Sequence, residues 1–283
     1  MQPNHHRNRV HQESIIRYPI PRSGMPVLAL RHLGISLLVL VGMVLTGVAE
    51  AGLALAATEN DAPKTWVLFS SRPGQPSGVH RDDPTAGLFA VALRQVAESS
   101  TLPIGSLAEL HDKLADAMLS LDTRNRQQPD LRSDRLLAPL CPAESSLRVR
   151  ILAIDFEHIA TGGDVVVQRA AWSKLCPDPR HFTVHAGKIG KAEIGAILEA
   201  ALEDARQPSG TSLFIVSGAG GQIGGTNRVL LSDASMGDQE SAVAGSFSAD
   251  ALIARIEAAC QSRCGVLVDA GRQPLDVPAG TTR

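Results

Sequence analysis

Groups able to attack a carbonyl or shuttle a proton are few in this 283-residue chain. Thiolate chemistry needs a cysteine and a proton-handling imidazole brought to one point. Cys141 and Cys176 flank the starts of predicted strands, Cys264 precedes a strand, and Cys260 lies on the helix before it. None of the four is expected at the carboxyl edge of a sheet, where α/β proteins gather reacting groups. His80 and His158 do fall on loops that follow strands. A second chemistry is suggested by the glycine run Ser217-Gly218-Ala219-Gly220-Gly221-Gln222-Ile223-Gly224. Glycines after a strand can let a helix N-terminus approach a pyrophosphate, so an NAD-binding reading of Gly218–Gly224 stands as an alternative. Against it, Gly225-Thr226-Asn227-Arg228 leads into the apolar Val229-Leu230-Leu231 rather than opening a helix, and the only tyrosine, Tyr18, is far upstream.

The elements that must position such groups alternate regularly. Short apolar runs at Trp66–Phe69, Val149–Phe156, His181–His185, Leu213–Val216 and Val266–Val268 read as strands. Helical spacing appears over Gly87–Glu98, Leu107–Leu119, Val165–Leu175, Lys191–Ala205 and Ala249–Cys260. The stretch from Asp122 to Ser146 is polar and punctuated by prolines, and is expected to be a linker. Strands alternating with helices of this length imply an α/β three-layer sandwich, a mostly parallel sheet covered by helices on both faces. Hydrophobic residues make up 44% and charged residues 20%, a balance that supports such a core. The net charge of −2 gives no electrostatic reason to expect nucleic acid as a partner.

Two strand ends carry the most specific pattern. One is Leu213-Phe214-Ile215-Val216-Ser217-Gly218-Ala219-Gly220, and the other Val266-Leu267-Val268-Asp269-Ala270-Gly271-Arg272. They resemble bacterial caspase-like cysteine peptidases of the metacaspase type. There the first strand ends in Ser-Gly-His-Gly, which supplies the base, and the second in Asp-Ala-Cys-Arg, which supplies the nucleophile. Ala219 and Gly271 stand at those two positions, about 50 residues apart as in caspases. Leu230-Leu231-Ser232-Asp233-Ala234 resembles a further family segment lying between them. Val67-Leu68-Phe69-Ser70-Ser71-Arg72-Pro73-Gly74-Gln75 resembles the segment that normally follows the cysteine strand, yet here it comes first. The resemblance therefore implies a circularly permuted domain: a small-subunit-like part over 58–135 and a large-subunit-like part over 145–283. It also implies a pseudopeptidase, with no cofactor and no metal, because alanine and glycine can supply neither imidazole nor thiol. Asp269 matches an aspartate that helps line an acidic specificity pocket in relatives selecting basic residues. Ser70 and Ser71 match the segment that pairs with extended substrate. With His158 they are the candidates for binding a peptide or protein ligand.

Upstream, residues 1–57 read as a leader. Arg31 and His32 precede a charge-free apolar run from Leu33 to Ala49, and Ala54-Leu55-Ala56 has the small-x-small form of a signal-peptidase site. Cleavage near Ala56 and retention as a single-span anchor both place the remainder outside the cytoplasm. An oxidising compartment permits disulfides. Four thiols allow three pairings; Cys260 and Cys264 are close enough in sequence for a local bridge, which would leave Cys141 for Cys176, and the absence of a Cys-x-x-Cys spacing weighs against a metal site.

Overall fold

A computed structural model describes residues 65–78, 86–100, 104–121, 127–133, 140–141, 147–157, 161–176 and 179–278. The leader and its apolar run, together with His80 and His158, lie outside the described residues. All described residues fall in the compact unit Asp61–Arg283.

The fold is α/β, built on a six-stranded sheet. Its strands are β1 (Thr65–Phe69), β2 (Asp130–Arg132), β3 (Leu147–Ile154), β4 (Pro179–Gly187), β5 (Thr211–Gly218) and β9 (Arg263–Asp269). They lie in the order β2-β1-β9-β5-β3-β4, and every pairing is parallel except that of β2 with β1. Trp66 lies opposite Gly265 and Phe69 opposite Val268, so the strand that comes first in the chain pairs with the one that comes last. Sequence from either side of the 122–146 region thus closes into a single sheet. That region is not purely a linker, because β2 lies within it: Asp130, Leu131 and Arg132 pair with Phe69, Leu68 and Val67. The strand expected at His181–His185 runs the full nine residues of β4.

Alternation along the strands divides the core in two. Leu68, Ile151, Ile215 and Leu267 pack with α1 (Leu88–Ser99), α2 (Leu107–Leu121) and α3 (Gly162–Leu175), around the fully buried Phe89 and Trp172. Their strand neighbours Phe69, Leu152, Val216 and Val268 pack instead with α4 (Lys191–Ala205) and α6 (Ala249–Ala259). Successive side chains on one strand therefore meet different helices, as expected when helices cover both faces of a parallel sheet. These strands are buried along nearly their whole length, which is why they read as continuous apolar runs.

A small antiparallel sheet stands beyond the main one, formed by β6 (Gly220–Ile223), β7 (Thr226–Leu230) and β8 (Ser246–Ser248), with the short helix α5 (Gln239–Ala244) between β7 and β8. Gly224 and Gly225, at φ 59° and 79°, make the two-residue turn of the β6–β7 hairpin. Both central positions of such a turn need positive φ, which glycine adopts without strain. The glycine run thus opens a hairpin, and the helix N-terminus that a pyrophosphate would need is not formed there.

Cys141 pairs with Cys176 and Cys260 with Cys264, at Cα separations of 5.5 and 6.1 Å. The pairing suits an oxidising, exported environment. Among the described residues, no helix is long and apolar enough to cross a membrane.

Candidate functional site

Parallel pairing brings the carboxyl ends of β1, β9, β5 and β3 to one edge of the sheet, and a cleft of about 570 Å³ opens there. Ser217 and Asp269 are register partners on the adjacent strands β5 and β9. Two residues beyond each, Ala219 and Gly271 also line the cleft. The structure therefore brings the two bare positions of the sequence pattern together on neighbouring strands.

They are not merely vacant. A β-carbon at Gly271 would stand 2.7 Å from the carbonyl oxygen of Gly220, closer than a carbon and a backbone oxygen can approach. Gly271 therefore leaves no open floor in the groove: the start of β6 occupies the space. Ala219 is tied down as well, its carbonyl accepting from the Leu230 amide at 2.9 Å.

The chemistry sits one layer deeper, in two aspartates. Asp269 is buried at 4% exposure, and its Oδ1 accepts from the Ser77 hydroxyl at 3.1 Å. Its Oδ2 is buried with no hydrogen-bond partner. Asp164, in the first turn of α3, accepts from the Gly87 amide at 2.6 Å and the Ser217 hydroxyl at 2.7 Å. Both carboxylates reach within 4 Å of the point a β-carbon at Gly87 would occupy, so they crowd one spot. Burial and then the Asp164 charge push the Asp269 carboxyl up to about 7, while hydrogen bonds from Ser70 and Ser77 pull the other way. The N-terminal end of α3 favours charge on Asp164. Two carboxylates in one dry spot cannot both ionise cheaply, so Asp269 holds the proton near neutral pH.

The other predicted binding residues fall differently. Ser70 and Ser71 are fully buried. Their backbone is engaged too: Ser70 donates to the Val268 carbonyl at 2.9 Å and accepts from Gln127 Nε2 at 2.9 Å, while Ser71 accepts from Arg272 Nη1 at 3.3 Å. Neither is placed to pair with an extended peptide, because the segment after β1 turns inward under Arg272. Ser70 instead supports the Asp269 network from below, with Ser70 Oγ 3.5 Å from Ser77 Oγ. The four cysteines are held in the two disulfides, away from the cleft.

Sequence reasoning passes over Asp164 and Ser77, and gives Ser217 only a structural place in its motif. Asp164 was hidden because an acid opening a helix is commonplace, and the predicted helix began one residue after it. Its signal was the fixed partner, Ser217, inside a motif already under scrutiny.

Among the described residues lining the cleft there are three carboxylates, Asp164, Asp269 and Glu157, and no Lys, Arg, His or Cys. Among the described residues no cluster is arranged to hold a metal ion. The site offers acceptors to a cationic group. No protein-family model matches this chain, and comparison with curated proteins finds no match.

Proposed function

We propose that this chain is an exported, non-catalytic domain of caspase-like type, a pseudopeptidase whose cleft binds a basic side chain of a peptide or protein. The observation that carries the reading is the buried, unpartnered Oδ2 of Asp269 beside Asp164. A buried acceptor left unsatisfied costs about 1–3 kcal/mol, and a bound ammonium or guanidinium would relieve that cost. The positions where the resemblance puts base and nucleophile carry Ala219 and Gly271, so a ligand held there meets no thiol or imidazole from them. The two disulfides agree with export, and the leader at 1–57 supplies the route, with secretion, periplasmic release or a single-span anchor as its endpoints.

The test uses fluorescently labelled peptides with a single central Arg or Lys and their Ala analogues. The basic peptides are expected to bind at least tenfold more tightly than the analogues, to lose that advantage in Asp269→Asn, and to remain uncleaved. Turnover above background, or equal binding of the Ala analogues, overturns the reading.

A second reading rests on one contact. Ser77 Oγ lies 3.1 Å from Asp269 Oδ1, and a carboxyl titrating at about 7 is suited to accept a hydroxyl proton at neutral pH. On this view Ser77 is the nucleophile of a hydrolase with a serine–carboxylate pair. Covalent labelling by a fluorophosphonate, abolished in Ser77→Ala, would establish it in place of the binding module.

A further inference from the structure

The third carboxylate of the cleft has no place in the account so far. Glu157 follows β3 and Phe156 and is exposed at the cleft. Its backbone sits at φ 50°, and it is the one described non-glycine residue with positive φ. A side chain in that region costs about 1–3 kcal/mol unless its surroundings fix it, and such positions concentrate at ligand sites. Here the loop is fixed from both sides. Asp155 Oδ1 accepts from the Thr161 amide and hydroxyl at 2.8 and 3.0 Å, and the Asp155 carbonyl accepts from Ser232 Oγ at 2.5 Å. Glu157 has no hydrogen-bond or ion-pair partner among the described residues.

The sheet sets the distance between the two anionic ends. β3 and β9 flank β5, so the loop carrying Glu157 stands two strand spacings, about 10 Å, from the strand carrying Asp269. The same cleft is lined by the apolar Phe156, Ala219, Leu230 and Leu275, together with the polar Thr161, Ser217 and Gln273. The buried end holds Asp269 Oδ2, which has no hydrogen-bond partner and becomes a free acceptor once the carboxyl gives up its proton.

We infer that the cleft recognises a dication: two ammonium groups joined by a methylene chain, one seated between Asp164 and Asp269 and the other against Glu157. This rests on the cation-binding reading above and names the ligand class that reading leaves open. The chemistry has two sources, a free aliphatic diamine or an N-terminal lysine residue whose α-amino group is the second charge. A basic residue in mid-peptide has no second ammonium and reaches the deep end alone.

The experiment is calorimetric titration of the full chain at low ionic strength with cadaverine, n-pentylamine, lysine amide and N-acetyl-lysine amide. Cadaverine is expected to bind at least about threefold more tightly than n-pentylamine, as expected for one added, partly exposed ion pair. Lysine amide should exceed its acetylated form by a similar factor. Glu157→Gln should abolish both differences, weakening cadaverine and lysine amide more than the two monocations. A gain for cadaverine alone points to a free diamine, and a gain for lysine amide alone to a peptide N-terminus. Monocations that bind and are lost in Asp269→Asn, with no dication advantage, overturn this inference while the parent reading stands. No binding of any of the four overturns both.

Discussion

Asp269 and Arg272 lie three residues apart at the end of β9, and both are buried charged residues, at 4% and 2% exposure. Arg272 is paired with an opposite charge, although its Nε, like Asp269 Oδ2, is buried without a hydrogen-bond partner. Its Nη1 donates to Asp130 Oδ2 at 2.6 Å and to the Ser71 carbonyl at 3.3 Å, and its guanidinium lies over the Phe69 ring at 4.0 Å. Its backbone exchanges hydrogen bonds with Gly74 and Gln75. Among the described residues Asp269 has no cation as partner; it has a second carboxylate as neighbour and an oxygen without a hydrogen-bond partner. Arg272 behaves as a structural pin joining β9, β1 and β2. Asp269 sits in an unfavourable arrangement, which a cationic ligand would relieve on the reading proposed above.

The comparison is broken most forcefully at the pin. Removing one partner of a buried ion pair typically costs about 3–5 kcal/mol, so Arg272→Met should lower the thermal midpoint by many degrees, and Asp130→Asn by less. A near-wild-type melt for Arg272→Met would deny the pin its role.

At Asp269 the sign reverses. The unfolded chain releases this proton near 3.8, whereas the folded protein holds it up to about 7. Stability attached to this group is therefore complete below about 4, falls as pH rises to about 7, and stays level above. Asp269→Asn should stabilise the protein at pH 8, by on the order of 1–3 kcal/mol, and change it little at pH 4. Denaturant melts at the two pH values check this; destabilisation at pH 8 would place Asp269 with Arg272 as a structural residue.

A third change sharpens the contrast between the deep aspartates and the bare edge above them. Gly271→Ala should cost about 1–3 kcal/mol, because the new carbon meets the Gly220 carbonyl at 2.7 Å. Gly271→Cys with Ala219→His inherits that clash, so the double variant should gain no peptidase activity without movement of the start of β6. Thiol-dependent cleavage by a variant as stable as the wild type would show that this segment yields easily.

The smallest effect expected is at the short disulfide. Closing four residues between Cys260 and Cys264 restrains the unfolded chain less than closing 35 between Cys141 and Cys176, so the double alanine variant of the first pair should melt closer to wild type.

Much of the scaffold was legible because the buried strands are unbroken apolar runs and the helices carry clear stripes; Lys191–Ala205 matches the observed helix end to end. What escaped was held by tertiary contacts. β2 is three residues, two of them charged, and it exists because Phe69 pairs with Asp130 and Arg272 reaches across to the same side chain. Of the site, Asp269 was legible from its place before the bare Gly271. Ser70 and Ser71 were misplaced because sequence cannot show a chain turning inward beneath a neighbouring arginine. Asp164 enters from a helix 105 positions earlier, joined to Asp269 only by the sheet.

The most direct test of cation binding at Asp269 is proton release measured on binding. Titrating the protein at pH 7 with a basic peptide in two buffers of different ionisation enthalpy reports protons displaced. With Asp269 titrating at about 7, close to half a proton should leave per peptide bound, falling towards zero by pH 9 and absent in Asp269→Asn. Binding with no buffer dependence at pH 7, or the same release from the Asp269→Asn variant, would contradict it.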